Sequence, residues 1–186
     1  ETLPDQIDNS TINGILGQGI ATTYVEPIGW VGSLTSFEPG KGYWVRTSDA
    51  TELVLDCPDG NSINRTSPNI EAQDFKQSSI QAFYFFNEVS GITPGDRINA
   101  YNGDVLVGSR VWDGQYTDIA VMGKDSQLET QDYLLEFDIP IFKVVKKNKD
   151  VFTIKAHIPA FQSNGIFIIE ETNIIELAEN SKINFN

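Results

Sequence analysis

A catalytic site needs a nucleophile or a base with partner groups, and the 186-residue chain offers few of them. His157 is its one histidine, so a Ser-His-Asp triad would have to use that residue, and the Gly-x-Ser-x-Gly turn of one hydrolase class does not occur. Paired carboxylates can hydrolyse glycosides, but 26 Asp and Glu residues make chance pairs certain. The glycines of residues 14–19 lack the spacing of a phosphate-binding loop. The sequence therefore predicts a protein that is not an enzyme.

Stacking of aromatic side chains on sugar rings is a second kind of chemistry that the residue types allow. Tryptophan and tyrosine residues at or near predicted turns form the candidate carbohydrate-binding set: Trp30, Tyr43, Trp44, Trp112 and Tyr116. Trp44 and Trp112 have an alternative interpretation, because each could end a strand of the core. The carbohydrate-binding interpretation requires these rings to face solvent together.

Acidic turns supply a third set, of oxygen ligands for a metal ion. The candidate calcium ligands are Asp56, Asp59, Asn61, Asp104, Asp113 and Asp118. Hard cations prefer such carboxylate and amide oxygens, but none of these turns has the register of an EF-hand loop. Asp, Asn and Gly are also ordinary turn residues, so turn formation alone is the competing explanation. Calcium is the one cofactor for which the sequence offers ligands.

The composition restricts the partners of the chain. The net charge is −13 and the sequence pI is about 4.3, and a protein this acidic repels nucleic-acid phosphates and anionic lipid headgroups. No run approaches the roughly 18 consecutive apolar residues of a membrane-spanning helix. Cys57 is the only cysteine, and we expect it to be a buried apolar residue rather than a reactive thiol. We expect neither nucleic-acid binding nor a transmembrane segment.

Strands must position any site in this chain, because short runs of β-branched and aromatic residues alternate with clusters of turn residues. Residues 97–101 and 105–112 flank Asn102-Gly103-Asp104 as one predicted hairpin, and residues 139–145 and 151–156 form a second. The apolar runs 81–86 and 165–169 predict central strands. Helical signal is confined to short stretches at 11–20 and 172–180.

The segment 58–73 is polar and rich in turn residues, so we predict that it is a linker. It separates a small β module at 1–57 from a β-sandwich module at 74–186, of the jelly-roll or immunoglobulin-like kind. The predicted fold class is therefore all-β, with a small β domain followed by an antiparallel β-sandwich.

Two stretches resemble known modules. G-W-V-G-S-L-T-S-F-E-P-G-K-G-Y-W-V at 29–45 resembles a small β module of large secreted marine bacterial proteins, which a Gly-x-Gly-Tyr-Trp strand closes. Q-A-F-Y-F-F at 81–86 and D-R-I-N-A-Y-N-G-D-V-L-V-G-S-R-V-W at 96–112, with 116–125 and 138–143, are similar to the β-sandwich modules found beside it in multimodular secreted and cell-surface proteins of marine microbes. The resemblance implies an extracellular or cell-surface module and assigns no catalytic residues.

One departure from the resemblance concerns the start of the chain. The related small module usually begins with an apolar strand, whereas residues 1–13 here are polar. We therefore predict that the first strand is missing and that another chain pairs with the edge this leaves. The alternatives are that residues 1–13 pair with that edge after all, or that the strand was removed by processing. The start at Glu1 without a signal peptide also suggests a processed product or a trimmed fragment.

The expected function is that of a non-catalytic extracellular or surface module with a structural or adhesive role, such as a subunit of a surface filament or a virion. The alternative is a carbohydrate-binding module of a secreted polysaccharide-degrading system. The expected partners are accordingly other protein chains, through self-assembly or neighbouring modules, or surface glycans.

Overall fold

The structure is a computed structural model that describes residue 7 and the ranges 11–38, 40–51 and 75–176, except for the side chains of residues 171 and 173–176. Apart from one short 3₁₀ helix at Leu128–Thr130, all regular structure in these ranges is β, which confirms the all-β prediction. The first four strands are β1 (Ile12–Leu16), β2 (Ala21–Val25), β3 (Gly29–Gly32) and β4 (Trp44–Thr47). The remaining seven are β5 (Gln81–Val89), β6 (Arg97–Asn102), β7 (Val105–Val111), β8 (Thr117–Met122), β9 (Ile141–Val145), β10 (Val151–Lys155) and β11 (Ile166–Glu176).

Two sheets contain these strands. The first has the order β3-β2-β1-β4, and all its pairs are antiparallel. The second has the order β7-β6-β9-β10-β11-β5-β8. Its pairs are antiparallel except β5 with β11, which run parallel from Ile166 opposite Phe83 to Thr172 opposite Val89. The prediction of an antiparallel sandwich is therefore wrong at this one pair, because the long connection from β5 to β11 returns the chain in the same direction.

Strand β11 joins the two layers of the larger sheet. Its first seven residues lie beside β5, whereas residues 173–176 pair with β10, so the strand passes from one layer into the other. The layers pack through aromatic rings: the Phe142 ring on β9 lies 5.1 Å from the Tyr84 ring and 4.9 Å from the Phe86 ring, centroid to centroid. This is the sandwich that the sequence predicts, closed at one corner by a shared strand.

Strand β5 is buried on both faces. Successive side chains of a strand point to opposite sides, so Phe83 and Phe85 face away from the layer that Tyr84 and Phe86 contact. Both are nevertheless fully buried, because the four-stranded sheet covers them, and the Phe85 ring lies directly against Gly32 of β3. The molecule therefore has three layers, and the smaller sheet packs on the outer face of the β5 layer. The predicted linker at 58–73 lies outside the described residues, so the division at that point stays a prediction.

Buried polar groups fasten the smaller sheet to the larger one. The Gln81 side chain donates to the Gly17 carbonyl at 2.8 Å and accepts from the Gly19 amide at 3.2 Å. The Ser33 hydroxyl donates to the Asp118 carboxylate at 2.7 Å. Arg110 Nη2 lies 3.4 Å from the same carboxylate and donates to the Gly19 carbonyl at 2.8 Å. Burial raises the pKa of the Asp118 carboxyl, although Arg110 and the Ser33 hydroxyl oppose that shift.

The local predictions have mixed outcomes. Both hairpins form, as β6–β7 and β9–β10, with Gly103 at φ +58° in the first turn. Both predicted central strands also form, within β5 and β11. The helical signals are wrong where the structure describes them: 11–20 contains β1, and 172–176 belong to β11, while 177–180 lie outside the described residues. Ile12 and Asn13 belong to β1, so the last residues of the polar stretch 1–13 do form part of a strand. Residues 1–6 and 8–10 lie outside the described part.

We predict that Arg110→Ala lowers the free energy of unfolding by about 3 kcal/mol, because it leaves the buried Asp118 carboxyl without its cationic partner. The double variant Arg110→Ala with Asp118→Asn should lose distinctly less than the two single losses combined, because it no longer buries an unpaired charge. Urea unfolding followed by tryptophan fluorescence measures all of these values. Arg46→Ala, at an exposed position of β4, is the control and should stay within about 0.5 kcal/mol of wild type. Strictly additive losses would contradict the coupling.

Candidate functional site

The predicted carbohydrate-binding set does not form one exposed platform. Trp112 and Tyr116 are each only 7% exposed and belong to the main core, so they cannot stack on an external ring. Trp30 is half-buried and packs edge-on against Tyr24 at 5.7 Å. Tyr43 is half-buried against Phe37, and only Trp44, at 53% exposed, presents most of its ring to solvent. The alternative interpretation is thus confirmed for Trp112, which follows a core strand, and wrong for Trp44.

The candidate calcium ligands are also dispersed. Asp56, Asp59 and Asn61 lie outside the described residues. Asp104 and Asp113 flank opposite ends of β7, which places them about 20 Å or more apart, since a strand rises about 3.3 Å per residue. Asp118 is buried and engaged by Ser33 and Arg110. Among the described residues, no group of three or more His, Cys, Asp or Glu side chains is placed to hold a metal ion.

The most unusual surface feature is a run of exposed apolar side chains before β9, which we call the apolar loop (residues 135–141). Four of its side chains are exposed, to the following fractions: Leu135 56%, Phe137 73%, Ile139 63% and Ile141 42%. Leu128, 76% exposed, lies on the 3₁₀ helix just before it. Five of the eight large apolar residues that are exposed in the described part thus fall within 14 consecutive positions. Exposed apolar groups that cluster in this way mark interaction surfaces in soluble proteins.

Hydrogen bonds hold the apolar loop in one conformation. Asp138 Oδ2 accepts from the Leu135 amide at 2.8 Å, and the Asp138 amide donates back to the Leu135 carbonyl at 3.1 Å. The buried Phe161, which is distant in sequence, anchors the turn. Its carbonyl accepts from the Phe137 amide at 2.9 Å, and its amide donates to the Asp138 backbone carbonyl at 2.7 Å. Phe137 has φ +72°, a left-handed conformation that costs a non-glycine residue about 1–2 kcal/mol. The loop therefore presents its most exposed ring from a strained but well-braced turn.

The apolar loop and the segment that follows it carry charges of opposite sign. Residues 125–141 contain five acidic residues and no lysine or arginine: Asp125, Glu129, Asp132, Glu136 and Asp138. Residues 143–155 contain five lysines and one aspartate, a net charge of +4. The protein thus carries an acidic apolar surface beside a basic one, although its net charge is −13.

The basic segment forms the β9–β10 hairpin, and an open cleft lies beside its tip. The cleft has a volume of about 300 Å³, and its lining residues are Thr93, Asp96, Lys146, Lys147, Asn148, Asp150 and Phe152. Lys147 and Asn148 are exposed, and the half-buried Phe152 gives the cleft an aromatic surface. The cleft is therefore polar and partly apolar, with the charges of Lys146 and Lys147 matched by those of Asp96 and Asp150.

A buried ion pair fixes the shape of this cleft. Lys146 Nζ donates to Asp96 Oδ2 at 2.8 Å and also to the Gly91 carbonyl, and Asp96 is only 2% exposed. The same carboxylate accepts from the Thr93 amide at 2.8 Å and from the Lys147 amide at 3.2 Å. Burial alone would raise the pKa of Asp96, but Lys146 and these hydrogen bonds outweigh it and lower the pKa to about 2. The hairpin is thereby fastened to the loop that precedes β6.

The apolar loop and the cleft were not among the candidate site residues predicted from the sequence. A signal for the loop exists, because Leu135, Phe137, Ile139 and Ile141 alternate with Glu136, Asp138 and Pro140. Such alternation predicts a half-buried strand with its apolar side facing the core. The structure turns the apolar side outward instead, and buries Leu134, Pro140 and Phe142. Local pattern carries no information on which side the rest of the protein covers.

Comparisons with known proteins give no relatives. No protein family matches the chain, and no curated protein or solved structure is significantly similar to it. In the part of the chain that the structure describes, no helix has both the length and the apolar character needed to cross a membrane.

We predict that Phe137→Gly raises the free energy of unfolding by about 0.5–1 kcal/mol, because glycine adopts φ +72° without a Cβ clash and the lost ring is mostly in water. Leu135→Gly is the matched control and should destabilise the protein, because the same flexibility is gained without relief of left-handed strain. Thermal unfolding by circular dichroism ranks the two variants. A loss of stability in Phe137→Gly as large as that in Leu135→Gly would mean that the phenyl ring supports the fold.

We also predict that Asp96→Asn destabilises the protein by about 2 kcal/mol at neutral pH and that this loss vanishes in acid. The pKa of Asp96 is lowered from 3.8 to about 2 in the folded state, so its stabilisation is present above about pH 4 and disappears as the pH falls to about 2. Unfolding in urea between pH 7 and pH 2 measures the difference from wild type at each pH. Asp104→Asn, at an exposed turn, should track wild type throughout. A pH-independent difference for Asp96→Asn would contradict the linkage.

Proposed function

We propose that this chain is a non-catalytic structural or adhesive module of an extracellular or cell-surface protein, and that it attaches to other protein chains through the apolar loop. The observation that carries this proposal is a braced turn with Phe137 73% exposed at its tip, flanked by Leu135 and Ile139. Residues that are held in a strained conformation and exposed to solvent are typical of binding surfaces rather than of the folding core.

The energetics favour a covered loop. Four half-exposed apolar side chains leave on the order of 400 Å² of apolar surface in water, and covering it is worth about 10 kcal/mol at about 25 cal/mol per Å². Association costs of several kcal/mol or more reduce the net gain, so the expected contact is moderate rather than very tight. The same area is about half of what one partner contributes to a standard protein–protein interface, about 800 Å².

Burial of the aromatic set argues for this role over carbohydrate binding. Sugar recognition through stacking needs rings that face solvent, and two of the five candidate rings are in the core. The exposed Trp44 lies on β4 of the smaller sheet, without a second exposed ring from the set beside it. The apolar loop, in contrast, brings several exposed side chains together on one short segment.

We predict that the folded protein adsorbs to a methyl-terminated sensor surface mainly through the apolar loop. Phe137→Ser combined with Ile139→Ser should reduce the retained mass several-fold, because it removes the two most exposed side chains of the loop. Ile28→Ser is the control, since Ile28 is 56% exposed in the turn between β2 and β3, and it should retain wild-type adsorption. A surface mass balance measures all three proteins at the same concentration.

Two results would contradict the proposed function. Equal adsorption of the loop variant and wild type would show that the loop is not the attachment surface. Release of new reducing ends from a polysaccharide panel, abolished by a single Asp or Glu substitution, would show that the protein is a glycoside-cleaving enzyme instead.

A further inference from the structure

We propose that the partner of the apolar loop is a second copy of this chain, and that Phe137 of one copy enters the cleft beside the β9–β10 hairpin of the next. The contact is head to tail, because it joins two different surfaces of the same molecule. This inference rests on the proposed function, since it names the occupant of the loop described there.

Charge disfavours a contact of the loop with itself and favours a contact with the tip of the β9–β10 hairpin. In a two-fold symmetric contact, Glu136 and Asp138 of both copies would face each other, and like charges brought together repel. In the head-to-tail contact they meet Lys147 and Lys149, which are exposed at the hairpin tip and outnumber its one exposed acidic residue, Asp150. The acidic loop and the basic hairpin are thus complementary surfaces.

Shape supports the same pairing. The cleft is open to solvent and has a volume of about 300 Å³, which is enough to seat one phenyl ring, since an enclosed apolar cavity of about 150 Å³ accepts benzene. Phe152 offers the ring an aromatic contact, and Lys147 also lines the cleft, with the end of its side chain (Cε and Nζ) over Gly95. The Asp96–Lys146 pair keeps the cleft formed before a partner arrives, so little ordering is required on binding.

The geometry of β9 makes such a contact repeat. The apolar loop leads into the first residue of the strand, Ile141, and the hairpin tip follows its last residue, Val145. At about 3.3 Å per residue these ends are about 13 Å apart. The projecting ring and the receiving cleft therefore lie at opposite ends of one strand. A contact between different surfaces that does not close into a ring adds copies in an open chain.

The test is the mass of the purified chain in solution, measured by sedimentation and by size exclusion with light scattering up to about 1 mM, the range in which small interfaces associate. The average mass of the wild-type protein should exceed that of a dimer as the concentration rises. Phe137→Ser should be monomeric, and so should Lys147→Glu with Lys149→Glu. Asn148→Trp, which blocks the cleft without reversing a charge, should also be monomeric. Lys41→Glu with Arg46→Glu reverses the same number of charges at exposed positions of the smaller sheet and should associate like wild type.

Mixing the variants distinguishes the geometries. Phe137→Ser keeps its cleft and Lys147→Glu/Lys149→Glu keeps its loop, so an equimolar mixture should double in mass to a dimer and grow no further. Self-association of the charge-reversed variant on its own would overturn the head-to-tail contact in favour of a loop-to-loop one. Wild type that stays monomeric at all concentrations would overturn the second copy as partner. The surface-adsorption result for the loop would then still decide the proposed function separately.

Discussion

Burial of β5 on both faces is the constraint on which the rest of this fold depends. All six residues from Gln81 to Phe86 are at most 3% exposed, so the strand requires a covering layer on each side. The layer built on β6 and β9 covers Tyr84 and Phe86, and the four-stranded sheet covers Phe83 and Phe85. Without the smaller sheet, two phenylalanine side chains would face water, at a cost of about 1.5–3 kcal/mol each. The smaller sheet is therefore part of the fold rather than an appendage.

The interface between the two sheets has to provide hydrogen-bond partners for buried polar groups as well as bury apolar ones. Gln81 begins the apolar strand, and its amide saturates two backbone groups of the loop between β1 and β2. Asp118 lies beside Phe85 in the sheet and would be an unpaired buried charge without Ser33 and Arg110. An unsatisfied polar group at such an interface costs about 1–3 kcal/mol. The polar contacts thus select one relative position of the two sheets, since sliding either sheet would break them.

The apolar loop is possible because that core is complete without it. Leu134 and Phe142 lie in the core on either side of the loop, and Phe161 holds the loop's backbone through two hydrogen bonds. Strain at Phe137 and exposure at Ile139 are therefore tolerated by a fold that does not need them. The basic hairpin is fastened in a comparable way, through the buried Asp96. Hydrogen bonds and an ion pair within the chain brace both surfaces, which favours recognition with little loss of conformational entropy.

The sequence by itself determined both hairpins and the strands at 81–86 and 165–169, because aromatic runs and Asn-Gly turns are local properties of the chain. It placed a helical signal where β1 lies. It also determined the acidic charge and the scarcity of catalytic groups. It did not reveal the parallel pairing of β5 with β11 or the passage of β11 between layers, because both depend on contacts between residues about 80 positions apart. The exposure of individual side chains was likewise decided by the tertiary structure. Trp112 and Tyr116 became core while Phe137 and Ile139 became surface, since only the assembled layers fix which face of each segment is covered.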